Sequence, residues 1–186
     1  AEGPISGTEY MTHNNLRGSV WTFLFRKEIL HDLRFPKGIL HEDEEFTPQL
    51  MLRAENLYFT NNKAYYYRKR EGSIMHKRDK RWHIRRLSDA EQVLYRLKER
   101  VDYLPVKERI AMERRIAQLT MDHIYNVIRL THNETHLNHV LQRLSRHGLF
   151  PLPDKDYTSK YKWFRRMTNS SFGRKTLIML LRLNKG

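Results

Sequence analysis

Apolar residues recur at helical spacing through much of the second half of the chain. Between residues 88 and 104 they form one face of a helix, made of Ala90, Val93, Leu94, Leu97, Val101 and Leu104. Ser88 is followed three residues later by Glu91, the spacing of a capping box, so this helix is predicted to begin at Ser88 and to end before Pro105. The same periodicity predicts a second helix over residues 110–128 and a third over residues 137–144, which Gly148 would cap.

The first half of the chain gives shorter and more mixed signals. The apolar run at residues 20–25 fits a buried strand or the start of a helix, and periodicity does not separate the two. Residues 57–60 and 64–67 are rich in aromatic side chains and flank a polar stretch, which predicts two strands. The sequence Phe35-Pro36-Lys37-Gly38 predicts a turn, because proline fixes one φ angle and glycine permits a positive one.

An acidic run, Glu42-Asp43-Glu44-Glu45, precedes apolar positions at helical spacing between residues 46 and 54. Carboxylates are favourable in the first turn of a helix, since they lie near the positive end of its dipole. Pro48 is compatible with a helix only near its start. The pattern therefore predicts a helix whose first turn carries the four carboxylates.

Positive charge is concentrated in the second part of the chain. The 186 residues include 35 Lys and Arg against 21 Asp and Glu, which gives a formal net charge of +14. Residues 1–76 hold ten basic and ten acidic side chains, whereas residues 77–186 hold 25 basic and 11 acidic ones. We therefore expect two segments, 1–76 and 77–186, of which the second meets a polyanionic partner.

Composition excludes several kinds of chemistry. Because the chain has no cysteine, it has no disulfide, no thiol nucleophile and no cysteine-ligated zinc. The longest apolar run, residues 177–181, is far shorter than the roughly 20 residues of a membrane-spanning helix. Nothing near residue 1 has the pattern of a signal peptide. These features predict a cytoplasmic protein that is either soluble or bound to a membrane surface.

Residues 6–76 carry a series of short motifs. In chain order they include Ser6-Gly7-Thr8-Glu9-Tyr10-Met11, Val20-Trp21, Leu24-Phe25-Arg26-Lys27, Leu33-Arg34-Phe35-Pro36-Lys37-Gly38-Ile39, His41-Glu42-Asp43-Glu44 and Tyr65-Tyr66-Tyr67-Arg68-Lys69-Arg70. In this order and spacing they resemble the second half of the catalytic domain of a bacterial family 2 glycosyltransferase with the GT-A fold. The resemblance implies an α/β fragment, mostly α by content, over residues 1–76, followed by a basic helical extension over residues 77–186.

The same resemblance implies a C-terminal fragment. Enzymes of this family begin with a nucleotide-binding half that ends in an Asp-x-Asp motif, which holds a divalent metal (Mg or Mn) on the donor diphosphate. The Asp-x-Asp sequence of this chain, Asp154-Lys155-Asp156, follows the acidic motif and lies in a proline-flanked loop, so no metal site is assigned to it. The metal ligands of the full enzyme are expected mostly outside this chain, and the chain alone is expected to be inactive.

The resemblance assigns catalysis to the acidic motif. Asp43 is the expected base, which takes the proton from the acceptor hydroxyl as that oxygen attacks the anomeric carbon with inversion. Glu42 would orient the acceptor or a nearby cation, and His41 is assigned to substrate binding. The alternative is that these carboxylates only complement the helix dipole. Glu44 and Glu45 are expected to be solvated.

Further substrate contacts are expected from basic and aromatic side chains. Arg68 is the preferred contact to the donor diphosphate or the acceptor, since its planar guanidinium fits phosphate oxygens. Arg70 and His76 are further candidates, and a solvated strand end is the alternative for the two arginines. Trp21 is expected to stack on a sugar ring, with a place in the core as its alternative.

Three histidines, His132, His136 and His139, have a spacing that would place them on one helix face. Such a face could bind a metal, but no fourth ligand is paired with it in the sequence. A solvated helix face is therefore the favoured interpretation, and no metal is assigned to it.

Residues 157–186 mix basic side chains with aromatic residues and leucines. This mixture is typical of helices that lie on an anionic bilayer, and a core helix with a charged outer face is the alternative. The resemblance agrees with a peripheral position on the inner face of the membrane, because many such transferases extend lipid-linked glycans there in polysaccharide biosynthesis.

The leading hypothesis is a glycosyltransferase fragment whose partners are a nucleotide-sugar donor, a glycan or lipid-linked acceptor, and an anionic membrane surface. The alternative is a non-catalytic basic helical module that binds anionic membrane or nucleic acid. Nucleic acid is the less favoured partner, because the sequence has no RNA-binding aromatic motif and no zinc finger. Apolar segments that would lie exposed also predict self-association.

Overall fold

A computed structural model describes residues 4–63, 65–68 and 79–183. The α-helices in these residues are α1 (Gly7–His13), α2 (Glu42–Leu52), α3 (Lys80–Val101), α4 (Val106–Thr131), α5 (Glu134–Arg146), α6 (Ser159–Asn169) and α7 (Ser171–Leu183). Two short 3-10 helices, Val20–Thr22 and Lys27–Leu30, lie between α1 and α2. Among the described residues the sole β-type pairing is an isolated antiparallel bridge between Ile5 and Leu57.

Helix α4 is the centre of the structure. Each of the other six α-helices named above packs against it. Its side chains Met121, Ile124 and Ile128 are fully buried, as the apolar periodicity predicted. The same core extends from Met11 in α1 to Leu177 in α7. Residues from both predicted segments, 1–76 and 77–186, therefore contribute to one hydrophobic core.

The sequence predicted the existence of α4 and α5, which extend beyond the predicted residues at both ends, but it placed the start of α3 wrongly. Both predicted helices over residues 110–128 and 137–144 are confirmed within α4 and α5. Gly148 follows α5 with φ +66° and donates its N–H to the Ser145 carbonyl at 3.0 Å, which completes a glycine cap of the Schellman type. Helix α3 begins at Lys80, so the predicted start at Ser88 is wrong. The Asp79 carboxylate caps the helix instead, since it accepts the Arg81 N–H at 3.3 Å.

The two predicted strands are also wrong over the described residues. Leu57 makes the single bridge to Ile5, and residues 58–63 and 65–68 have no regular pairing. Tyr58 and Tyr66 are 65% and 89% exposed. Two strands alone bury too little surface to be stable in water, so aromatic composition by itself does not produce a hairpin.

The apolar run at residues 20–25 forms neither a buried strand nor an α-helix. It contains one 3-10 turn, Val20–Thr22, and then continues as irregular chain. Leu24 is 94% exposed. The run is too short to bury both faces, and no strand of the described residues lies beside it.

Two adjacent buried arginines of α4 attach the first part of the chain to the helical core. Arg114 donates to the Asn14 carbonyl at 2.6 Å and to the Asp156 carbonyl at 2.7 Å. Arg115 donates to the Leu16 carbonyl. Both arginines are at most 3% exposed. Because they satisfy backbone oxygens that would otherwise be buried without a donor, they fix the segment after α1 against α4.

Close backbone contact fixes α1 against the end of α2. The Gly7 N–H donates to the Ala54 carbonyl at 2.8 Å. A Cβ atom on Gly7 would lie 2.0 Å from the Met51 carbonyl oxygen. This position therefore requires glycine, which gives a physical reason for the glycine in the first motif of the chain.

Candidate functional site

The acidic turn at the start of α2 lines a cavity of about 600 Å³ between α2, α3 and α4. Sequence-predicted residues on its wall are His41, Glu42 and Asp43. The predicted first helical turn of carboxylates is confirmed, since α2 begins at Glu42. The backbone therefore directs three of the predicted site residues into one cavity.

Asp43 is a partly buried carboxyl that binds its proton more tightly than an ordinary aspartate does. Burial, followed by the negative charges of Glu44 and Glu42, raises the pKa of Asp43 from 3.8 to about 6. At neutral pH the group is ionised, yet it is a stronger base than an ordinary aspartate. A carboxylate of this kind can accept a proton from a hydroxyl that is held beside it.

His41 connects the acidic turn to α3. Its backbone has φ +65° and ψ +30°, a left-handed conformation that is unfavourable for a residue with a side chain. Arg86 Nε donates to His41 Nε2 at 3.2 Å. Burial, and then the positive charge of Arg86, lower the pKa of His41 to about 4. His41 is therefore neutral at pH 7, and its Nε2 can accept the hydrogen bond that Arg86 donates.

The expectation that Glu44 and Glu45 are solvated is wrong, because Glu45 is buried and the Glu44 side chain is only 28% exposed and paired. Glu45 is 3% exposed and pairs with Arg96 and Arg100 of α3 at 3.4 and 3.6 Å. Glu44 accepts a hydrogen bond from the buried Arg115. The two carboxylates meet cations that are distant in sequence, and these ion pairs hold α2 against α3 and α4. Pro48 lies in the second turn of this helix, near its start as the sequence predicted.

Helices α3 and α4 contribute further side chains to the cavity, and the sequence did not predict these side chains as site residues. They are Trp82, Arg86, Asp122, Asn126 and Arg129. The guanidinium of Arg86 lies 5.4 Å from the centre of the Trp82 ring, one turn earlier on α3. Asp122, Asn126 and Arg129 follow one another at i, i+4 and i+7 on one face of α4. This polar stripe lies beside the apolar face of α4, and its helical spacing is the signal that could have found these residues.

Asp122 is a second carboxyl with a raised pKa in the same cavity. Burial raises the pKa of Asp122, although Tyr161 of α6 donates its hydroxyl to Asp122 Oδ1 at 2.7 Å. This contact ties the floor of the cavity to the C-terminal helices.

The other predicted substrate contacts do not line this cavity. Trp21 is 44% exposed, and its ring lies 5.1 Å from the rings of both Tyr65 and Tyr67. Arg68 is exposed next to this aromatic group. Arg70 and His76 lie outside the residues that the structure describes.

The described part of the chain does not fit a divalent metal site. No group of three or more His, Asp or Glu side chains in it could hold a metal ion. His132 ends α4 in a left-handed conformation and α5 begins at Glu134, so His132 does not share a helix with His136 and His139. Asp154 and Asp156 pair with Arg165 and Lys162 of α6.

None of the helices in residues 4–63, 65–68 and 79–183 combines the length and the apolar character needed to cross a bilayer.

Comparison with known proteins gives one informative similarity. No family model matches the chain, and no solved structure matches it. The chain is 27% identical over 103 residues to Glycosyltransferase GlyA of Streptococcus pneumoniae serotype 4. The match covers 55% of this chain and 14% of that protein, so the chain spans a small part of this curated relative's length. The similarity indicates that the chain is related to a glycosyltransferase.

Proposed function

We propose that the chain forms the acceptor side of an inverting glycosyltransferase of the family 2, GT-A type. The donor would be a nucleotide sugar and the acceptor a glycan or a lipid-linked glycan. The observation that carries this proposal is Asp43, a carboxyl with its pKa raised to about 6 on the wall of a 600 Å³ cavity. The similarity to Glycosyltransferase GlyA supports the general class of reaction.

In the proposed reaction the acceptor hydroxyl is held beside Asp43. Its oxygen attacks the anomeric carbon of the donor sugar, and its proton moves to the Asp43 carboxylate. The bond between the anomeric carbon and the nucleotide diphosphate breaks, and the diphosphate leaves with the electron pair. Because attack comes from the side opposite the leaving group, the configuration inverts.

The surrounding residues explain why Asp43 suits this role. The ion pairs of Glu44 and Glu45 fix the first turn of α2, so the Asp43 carboxyl has a defined direction. Glu42 adds negative charge that raises the pKa of Asp43 further. The full enzyme would use a divalent metal, Mg or Mn, on the donor diphosphate, with ligands outside the described residues.

The proposal is tested by a transfer assay on the complete gene product that contains this chain. Candidate nucleotide sugars are incubated with membrane-extracted glycans, and transfer is followed by mass spectrometry. Asp43→Asn should lower kcat by roughly 10²–10⁴-fold with little change in the KM for the donor. Glu99→Gln removes an exposed carboxylate from α3 and serves as the control. An Asp43→Asn variant with kcat close to that of the wild type would remove Asp43 from the role of base.

A second proposed activity is binding to an anionic bilayer through α6 and α7. Phe172, Met179 and Leu183 recur on one face of α7 and are 79%, 58% and 74% exposed. Exposed Lys175 lies between them, and α6 exposes Lys162 near Trp163. Apolar side chains would enter the interface while the ammonium groups meet lipid phosphates.

Co-sedimentation with vesicles tests this second proposal. The chain should bind phosphatidylglycerol vesicles better than phosphatidylcholine vesicles, and less at high salt. The double substitution Phe172→Ser with Met179→Ser should reduce the bound fraction several-fold. Val106→Ser, at the 68% exposed start of α4, is the control. Equal binding of the double variant and the wild type would contradict a role for this face.

A further inference from the structure

Two arginines from different helices face the same cavity without a carboxylate partner within ion-pair distance. Arg86 belongs to α3 and Arg129 to α4, and both line the cavity that contains Asp43. Among the described residues neither forms a salt bridge within 4.0 Å, although four carboxylates line the same cavity. Glu44 is paired with Arg115, and Asp122 accepts its hydrogen bond from Tyr161. Two of the four carboxylates, Glu44 and Asp122, are thus engaged with other side chains.

The contacts of the two arginines leave donors free for a ligand. Arg86 uses Nε for its hydrogen bond to His41 Nε2, and its plane lies near the Trp82 ring. Arg129 reaches the Asn126 side chain at a long 3.5 Å and stands at the exposed rim of the cavity. A guanidinium has five N–H donors, so most of them stay available on each residue.

The two positive charges also repel each other. Burial, and then the charge of Arg129, lower the pKa of Arg86 from its ordinary value. The neutral His41 orients Arg86 but does not offset its charge. Two like charges held in one cavity are unfavourable in the free protein, and an anion between them removes the repulsion.

We propose that Arg86 and Arg129 bind an oxyanion, a phosphate or a carboxylate, carried by the acceptor substrate. The inference rests on the proposed function, because that function places the acceptor in the Asp43 cavity. In an inverting transfer the leaving diphosphate departs on the side opposite the base, so cations beside the base contact the acceptor. The substrate class is therefore an acidic acceptor, such as a glycan that carries a uronic acid or a phosphate.

Direct binding measurements on the purified chain test this inference without turnover. Isothermal titration calorimetry is carried out with inorganic phosphate, methyl glucuronide and UDP at low salt. Phosphate or methyl glucuronide should bind, and higher salt should weaken binding. Arg129→Gln should lower the affinity roughly tenfold or more, since it removes a charge-assisted hydrogen bond. Arg129→Lys should retain part of the affinity, and Arg146→Gln at the exposed end of α5 should retain all of it.

The outcomes separate the possible sources of the anion. If UDP binds far more tightly than phosphate and glucuronide, and Arg129→Gln abolishes this binding, the arginines hold the donor and the acceptor assignment is overturned. If no probe binds, or if Arg129→Gln binds like the wild type, the oxyanion site is overturned. Among the described residues Arg129 donates its side-chain hydrogen bond to Asn126 of its own helix, so its substitution should not lower the thermal unfolding temperature.

Asp43→Asn separates this inference from the proposed function. It should leave anion binding intact or strengthen it, because it removes a negative charge from the cavity. Loss of transfer in Asp43→Asn with unchanged anion binding supports both statements. An active Asp43→Asn enzyme would overturn the catalytic role while the arginine binding data still decide the oxyanion site.

Discussion

The raised pKa of Asp43 predicts that this carboxylate destabilises the folded chain at neutral pH. In the folded state its pKa is about 6, against an ordinary value of 3.8. Between these two pH values the folded chain binds more protons at this site than the unfolded chain. The free energy of unfolding therefore decreases as pH rises through this window, and the stabilising contribution is complete only below pH 3.8. Asp43→Asn has no carboxyl group to titrate at this position, so it should not show this decrease in the free energy of unfolding.

The magnitude follows from the difference between the two pKa values. At about 1.4 kcal/mol for each pH unit, a rise from 3.8 to about 6 corresponds to about 3 kcal/mol. Asp43 is only partly buried, and solvent screening reduces the expected effect to about 1–2 kcal/mol. We therefore expect Asp43→Asn to be more stable than the wild type by about 1–2 kcal/mol at pH 7. At about pH 4, where Asp43 is largely protonated, the two should agree within about 0.5 kcal/mol.

Urea unfolding followed by circular dichroism, at several pH values between about 4 and 7, measures this difference. Glu99→Gln controls for the loss of one negative charge from a protein of net charge +14. Glu99→Gln should show no comparable pH-dependent increase in the free energy of unfolding. If Asp43→Asn is no more stable than the wild type at pH 7, then burial and the neighbouring carboxylates do not disfavour the ionised form of Asp43. In that case Asp43 is no stronger a base than an ordinary aspartate.

Three further substitutions test the packing of the fold by the same urea measurement. Arg114→Met should lower the free energy of unfolding by about 3–5 kcal/mol, because it leaves several buried carbonyl oxygens without a donor. The control is Arg146→Met at an exposed position, which should change the free energy of unfolding by less than about 0.5 kcal/mol. Leu97→Ala, at a fully buried position of α3, should cost about 2–5 kcal/mol, and a cost below about 1 kcal/mol would show that this helix is not packed on α4 as described. Gly7→Ala should cost about 1–3 kcal/mol because its Cβ atom would meet the Met51 backbone; a neutral effect would contradict the close contact of α1 with α2.

The apolar periodicity of the sequence was sufficient to predict a helix where that helix buries one regular face. The apolar periodicity of α4 and α5 predicted both helices, and glycine at 148 marked the end of α5. The acidic first turn of α2 was predicted as well, since the preference of carboxylates for a helix start depends on neighbouring residues alone. The same pattern placed the start of α3 eight residues too late. Residues 80–87 are mostly polar, and the helix is capped by Asp79 and not by Ser88.

Strands were predicted from composition and are absent from residues 57–63 and 65–68. A strand depends on a neighbouring strand, which is a property of the whole fold and not of the segment. The exposed Tyr66 illustrates the difference, since aromatic side chains raise strand propensity whether or not a partner is present.

Helices α4 and α5, the carboxylate turn and the concentration of positive charge in residues 77–186 follow from the local sequence. Which charges are buried and which face the cavity depends on contacts between distant segments of the fold. Arg115 meets Glu44 across 71 positions of sequence, and Arg86 meets His41 across 45. The energy of a charge depends on its burial and on its partners, and both are fixed by contacts between distant segments. Asp43 could therefore be named from the sequence, while its raised pKa and the arginines around it required the fold.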